Sequence, residues 1–220
     1  MSYPRTPHLP FSPTIFSDDI KIQNINALKK FENNNIVILE KIDGANCCIH
    51  PFAKKVYART HSTEAKHPSF SPIKEICEVL HYENLPKNIK LFGENVFGIH
   101  SIEYDNLKSF FYLFAIQEGD RWLSWKEVQD FAIKYNLLLP PILYMGKGLS
   151  MSDVKKLMDI NAELESGLAT ATKPEGFVIR MIDSFQCKDF VNCVAKYVRK
   201  NHVQTNETWK RTWKKAKLNL

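Results

Sequence analysis

The sequence predicts a mixed α+β protein, built mostly of antiparallel β-sheet with helices packed outside it. Three observations carry this reading. Short β-branched and aromatic runs recur along the chain, most clearly at residues 35–42 (NIVILEKI) and 110–116 (FFYLFAI). Helix-start signals stand at Ser71, Ser124 and Ser150. The 220 residues, 44% hydrophobic and 25% charged, suit one large domain with a substantial core.

In chain order, residues 1–19 carry Pro4, Pro7, Pro10 and Pro13 and read as an extended arm over the surface. Residues 35–42 form a buried strand. Residues 47–52 and 56–61 give two more strands around a Lys54–Lys55 turn. Ser71-Pro72 opens a helix with Ile73, Ile76, Cys77 and Leu80 on one face. Residues 89–97 are a strand, and 110–116 is the central one. Capping boxes open helices from Ser124 to about residue 135 and from Ser150 to about residue 165. Residues 177–182 and 193–198 are the last strands.

The net charge is +6 and the pI is near 9.0. A basic balance suits a polyanionic partner without identifying one. Five cysteines (47, 48, 77, 187 and 193) form no C-x-x-C pair, which argues against a disulfide framework or a structural zinc. No apolar run approaches a membrane span and no signal-peptide core is present. The expectation is a soluble cytoplasmic protein.

The chemistry-bearing residues come as six weak signals in order. Glu40-Lys41-Ile42-Asp43-Gly44 ends a buried strand with a lysine and a glycine turn. Burial lowers a lysine pKa and frees its lone pair for attack on a nucleotide α-phosphorus. A snorkelling lysine beside a turn would read the same way over these positions. Arg59 offers a phosphate fork. Glu94, in Phe92-Gly93-Glu94, could accept from ribose hydroxyls. The aromatic strand could stack one ring on a purine. Glu175, before Gly176, could hold Mg²⁺ through oxygen. Lys196 could neutralise a triphosphate or departing pyrophosphate.

Together these residues resemble the covalent nucleotidyltransferase superfamily of polynucleotide ligases and capping enzymes, over roughly residues 35–200. The EK-x-DG, GE and EGFV pattern is most similar to the ATP-dependent RNA ligase branch. The resemblance implies an adenylyltransferase domain over 20–200, of the ATP-grasp-like ligase type without an oligonucleotide-binding (OB) barrel. It implies that Lys41 is adenylated, Glu40 recognises adenine, and Asp43 supports the lysine or the ribose. Arg59 would contact AMP or the polynucleotide end, Glu94 the ribose, and Phe114 would stack on adenine. Glu175 would bind or position metal, and Lys196 would contact the α-phosphate. Two positions depart from the pattern, Val198 and Ala115. Lys173 or Arg199 would supply the second phosphate interaction that Val198 cannot make.

ATP and Mg²⁺ (or Mn²⁺) are the implied cofactors, and RNA with 5′-phosphate and 3′-hydroxyl ends the implied partner. A barrel does not fit in residues 201–220. Substrate capture would then fall to the domain, a protein partner, a homo-oligomer or the termini. The basic tail reads as a helix docking Trp209 and Trp213. Arg59, Arg199, Lys210, Arg211 and Lys214 would face nucleic acid. The scattered histidines, His202 among them, read as structural or surface residues. Competing readings are a DNA nick-sealing ligase, a guanylyltransferase, and a non-catalytic RNA-binding relative.

Overall fold

A computed structural model describes residues 3–15, 19–22, 24–59, 63–200, 202 and 214–219. In chain order the elements are α1 (Ile25–Asn33), β1 (Ile36–Lys41), β2 (Ala45–His50), β3 (Lys55–Ala58) and α2 (Ser71–His81). There follow β4 (Ile89–Asn95), β5 (Phe111–Glu118), β6 (Arg121–Trp122), α3 (Trp125–Lys134), β7 (Ile142–Gly146) and α4 (Met151–Asn161). The chain then forms β8 (Gly176–Met181), β9 (Phe185–Gln186) and β10 (Val194–Val198). Among the described residues, ten strands in antiparallel pairs, flanked by helices, make this the α+β fold that the sequence predicts.

The strands form two sheets. One has four strands in the order β10-β8-β1-β7, the other six in the order β3-β2-β4-β5-β6-β9. Side-chain alternation gives β1 two jobs. Ile36 and Ile38 enter the core under α1 and α4, whereas Val37 and Leu39 join the core shared with the six-stranded sheet. Arg180 on β8 links the sheets, donating to the carbonyls of Phe114 (3.2 Å) and Leu123 (2.8 Å). Its guanidinium lies over the Trp125 and Phe185 rings.

Several sequence signals act as expected. Ser124 and Glu127 make both bonds of a capping box at α3. Ile73, Cys77 and Leu80 face inward on α2. The helix expected to reach residue 165 stops at Asn161, because Ser166 and Gly167 turn back to bind Glu40. Helix α1, strand β7 and the two-residue strands β6 and β9 were not expected. Helix α1 buries only Ala27 and Phe31, and β7 is an edge strand with partly exposed residues.

Both termini pack against the domain. His8 forms parallel bridges with Lys21 and Lys196. Leu9 N–H donates to the Lys196 carbonyl and Lys196 N–H to the Pro7 carbonyl, each at 2.8 Å. The arm thereby extends the four-stranded sheet beyond β10. Residues 214–219, expected as part of a helix, are extended instead and bridge Gly98 and Leu107. The backbone donors and acceptors of Phe97, Ile99 and Leu107 are met by this segment, which favours an extended path. Lys210, Arg211, Trp209 and Trp213 lie outside the described residues.

Candidate active site

Strand register brings the site together. On β1, Lys41 stands opposite Gly176 of β8, which places Glu175 beside the lysine. One rung away on the same face, Leu39 pairs with Val178 and Val178 with Lys196. Lys41 and Lys196 therefore share a face. The six-stranded sheet brings Glu94 to the same space, opposite Asn46 and Tyr112. Gly176 must be glycine because a Cβ there would sit 2.0 Å from the Tyr197 carbonyl oxygen.

Lys41 Nζ lies 2.6 Å from Glu175 Oε2, and the Glu175 side chain is 4% exposed. Burial alone pulls the lysine pKa down. The Glu175, Glu94 and Asp43 carboxylates outweigh it, and the net shift is upward. This corrects the expectation that burial would free the amine: without nucleotide, Lys41 is a paired ammonium. Burial pushes Glu94 up to about 8, with Glu175 and Asp43 adding to the rise and Lys41 and Arg59 opposing it. Arg59, exposed just past β3, thus stands within electrostatic reach of Glu94.

Asp43 is fixed through Oδ2, which accepts from Ser101 N–H (2.8 Å), Ser101 Oγ (2.6 Å) and Ile102 N–H (2.8 Å). Its own N–H donates to the Tyr104 hydroxyl at 2.7 Å. Glu40 is 6% exposed and accepts from Ser166 Oγ and from Gly167 N–H (2.8 Å). Burial raises its pKa, and the two donors pull it back. These partners sit 58 to 127 positions away in sequence, so no local motif could reveal them.

Lys196 Nζ is held by Asp19 Oδ1 at 2.9 Å. Asp19 Oδ2 lies 3.0 Å from Nε2 of His8, whose Nδ1 is 2.9 Å from Ser12 Oγ. Burial lowers the Lys196 pKa, and the nearby Lys41 charge adds to this against the opposing pull of Asp19. Burial and Lys196 also depress His8 to about 4, so its ring is neutral at pH 7. The arm thus contributes an unforeseen carboxylate to Lys196.

The other expected site residues stand further out. Phe114 packs edge-on to Tyr3 at 5.1 Å, in an aromatic cluster with Phe92, Trp122 and Phe190. Lys173 pairs with Glu163 on the surface. Arg199 donates from Nε to the Pro174 carbonyl at 2.7 Å, and its N–H donates to the Glu175 carbonyl at 3.1 Å. Arg199 therefore braces the segment that carries Glu175. Lys214 is exposed, and its carbonyl accepts from Ile99 N–H at 2.9 Å.

His202 was missed as well. It is 5% exposed, with Nε2 3.7 Å from Glu175 Oε1. One donor atom each from Asp43, Glu175 and His202 all lie within 4.8 Å of one another, a set that could hold a metal ion. Burial lowers the imidazole pKa, which keeps the ring in the neutral form that binds metals. It belongs to none of the short motifs, and only its place shortly after Lys196 hinted at the site.

A family profile described as RNA ligase matches residues 34–198. The chain belongs to the RNA ligase family. No curated relative matches the sequence. Among solved structures, the fold is similar to that of Naegleria gruberi RNA ligase. A variant of that ligase with ATP and manganese is 18% identical, with a TM-score of 0.59 over 85% of this chain and 56% of that one. The same ligase with pyrophosphate gives 18% and 0.58, over 90% and 60%. A variant with AMP and manganese gives 17% and 0.58, over 80% and 52%. This member of the RNA ligase family spans little more than half the length of those chains. Among its described residues, no helix is long and apolar enough to cross a membrane.

Proposed function

We propose that this chain is the adenylyltransferase part of an ATP-dependent RNA ligase, with Lys41 as the residue that carries AMP. The observation that carries the reading is the cluster of buried Glu175 with half-buried Lys41, Glu94 and Lys196, drawn from both sheets. In the first step Lys41 Nζ attacks the α-phosphorus of ATP, a P–N bond forms and pyrophosphate leaves. Glu175 Oε2, 2.6 Å away, is in reach to take the ammonium proton. Lys196 exchanges Asp19 for phosphate oxygens. Glu94 accepts from the ribose, and Glu40, held by Ser166 and Gly167, faces the base.

A base stacked on Phe114 would share that ring with Tyr3. For Lys173 to reach the nucleotide, its pair with Glu163 must open. In the second step the AMP passes to an RNA 5′-phosphate. In the third a 3′-hydroxyl displaces it. Each step is an in-line displacement at phosphorus, so positioning and charge neutralisation carry the catalysis. A divalent ion held by Asp43 and Glu175 would neutralise phosphate charge and the carboxylates that keep Lys41 protonated. The Naegleria ligase complexes with ATP, AMP and manganese support the cofactor assignment. Arg59, Arg199 and Lys214, with Lys210 and Arg211, would contact the RNA in the cytoplasm.

The test is incubation with α-labelled ATP and Mg²⁺ or Mn²⁺, followed by a denaturing gel. Wild type should take an acid-labile label that GTP does not give and that Lys41→Ala abolishes. A 5′-phosphorylated RNA should then be adenylated and joined. A folded wild-type protein that stays unlabelled overturns the reading.

A further inference from the structure

His202 has a buried ring beside Glu175 and no role in the scheme above. Its surroundings suggest one. Asp43 spends Oδ2 on Ser101 and Ile102. Glu175 spends Oε2 on Lys41, while its Oε1 faces His202 Nε2 at 3.7 Å, beyond hydrogen-bond range. One donor atom from each of the three residues lies within 4.8 Å of the other two. Ligands at about 2.1 Å from one octahedral ion lie about 3 Å apart when adjacent and about 4.2 Å apart when opposite. The 3.7 Å between His202 Nε2 and Glu175 Oε1 would close by about 0.7 Å for adjacent ligands.

We propose that Asp43, Glu175 and His202 coordinate a divalent ion directly, with His202 supplying a nitrogen ligand that favours Mn²⁺ over Mg²⁺. The chemistry of the donors argues this. Mg²⁺ takes oxygen ligands and keeps much of its water. First-row transition ions gain from an imidazole that Mg²⁺ uses poorly. Asp43 and Glu175 alone would leave the site indifferent. The buried ring adds the discrimination, and the bonds to Asp43 Oδ2 pre-set the site by orienting a ligand from outside it. This assignment rests on the adenylyltransferase reading for the location of the metal, but its test uses no nucleotide.

Purified full-length protein is titrated with Mn²⁺, and free ion is read from its room-temperature EPR signal. Mg²⁺ is then added as competitor. Wild type should show one tight Mn²⁺ site, with Mg²⁺ competing at least ~10-fold less well. His202→Ala should weaken Mn²⁺ binding by about 10- to 100-fold and change the Mg²⁺ constant less than about 3-fold. His202→Gln, which keeps a polar group of similar reach, serves if the alanine variant is unfolded by circular dichroism; it should lose the Mn²⁺ preference likewise. Equal affinity of wild type for both ions, or wild-type Mn²⁺ binding in a folded His202 variant, overturns the proposal. Metal binding without any Lys41 labelling would instead sink the ligase reading and leave this site standing.

Discussion

Glu94 is the residue whose charge is most finely set. Its pKa stands near 8 in the fold against an ordinary value of 4.5, chiefly through burial. A carboxyl whose folded pKa is raised costs stability as pH rises, because the unfolded chain releases the proton first. Without nucleotide or metal, stability should therefore fall between about pH 5 and pH 8. The slope is at most about 1.4 kcal/mol per pH unit for one proton, and less for a group that keeps some solvent contact. Glu94→Gln should flatten that slope, and thermal melts across the pH range would show it. A slope unchanged in the variant refutes the assignment. Lys41 titrates the other way: its raised pKa stabilises the fold below 10.5 and is lost only at higher pH, outside this window.

At the scale of elements, β8 ties the site to the fold. Gly176 lies against the Tyr197 carbonyl on β10 with no room for a methyl group. Gly176→Ala should cost about 1–3 kcal/mol by denaturant titration, and the adenylation label should fall with it because Glu175 is the preceding residue. An alanine variant of unchanged stability would refute the close approach. Elements with strong local signals were legible beforehand. The apolar runs of β1 and β5 and the capping box of α3 each announce themselves within a few residues. Helix α1 was hidden because Asn24 caps it without a following acidic partner and only Ala27 and Phe31 are buried. Strand β7 was hidden although Ile142 to Met145 are apolar, because Pro140 and Pro141 directly before it read as a break.

For the molecule as a whole, the central residues of the candidate site were legible and their supports were not. Lys41, Glu94, Glu175 and Lys196 sit in short patterns of their own. Ser101, Ser166, Asp19 and His202 act across long stretches of chain, which only the folded sheets bring together. The N-terminal arm belongs with them. Leu9 is wholly buried in the core beneath β8 and β10. Leu9→Ala should lower global stability by about 2–5 kcal/mol, measured by urea unfolding; a drop below about 1 kcal/mol would mean that the arm only rests on the surface. The arm also has a practical side. A purification handle fused ahead of Tyr3 pulls on the segment whose Tyr3 packs against Phe114 and whose His8 meets Asp19, the carboxylate that holds Lys196, so activity comparisons between tagged and cleaved protein belong among the first controls.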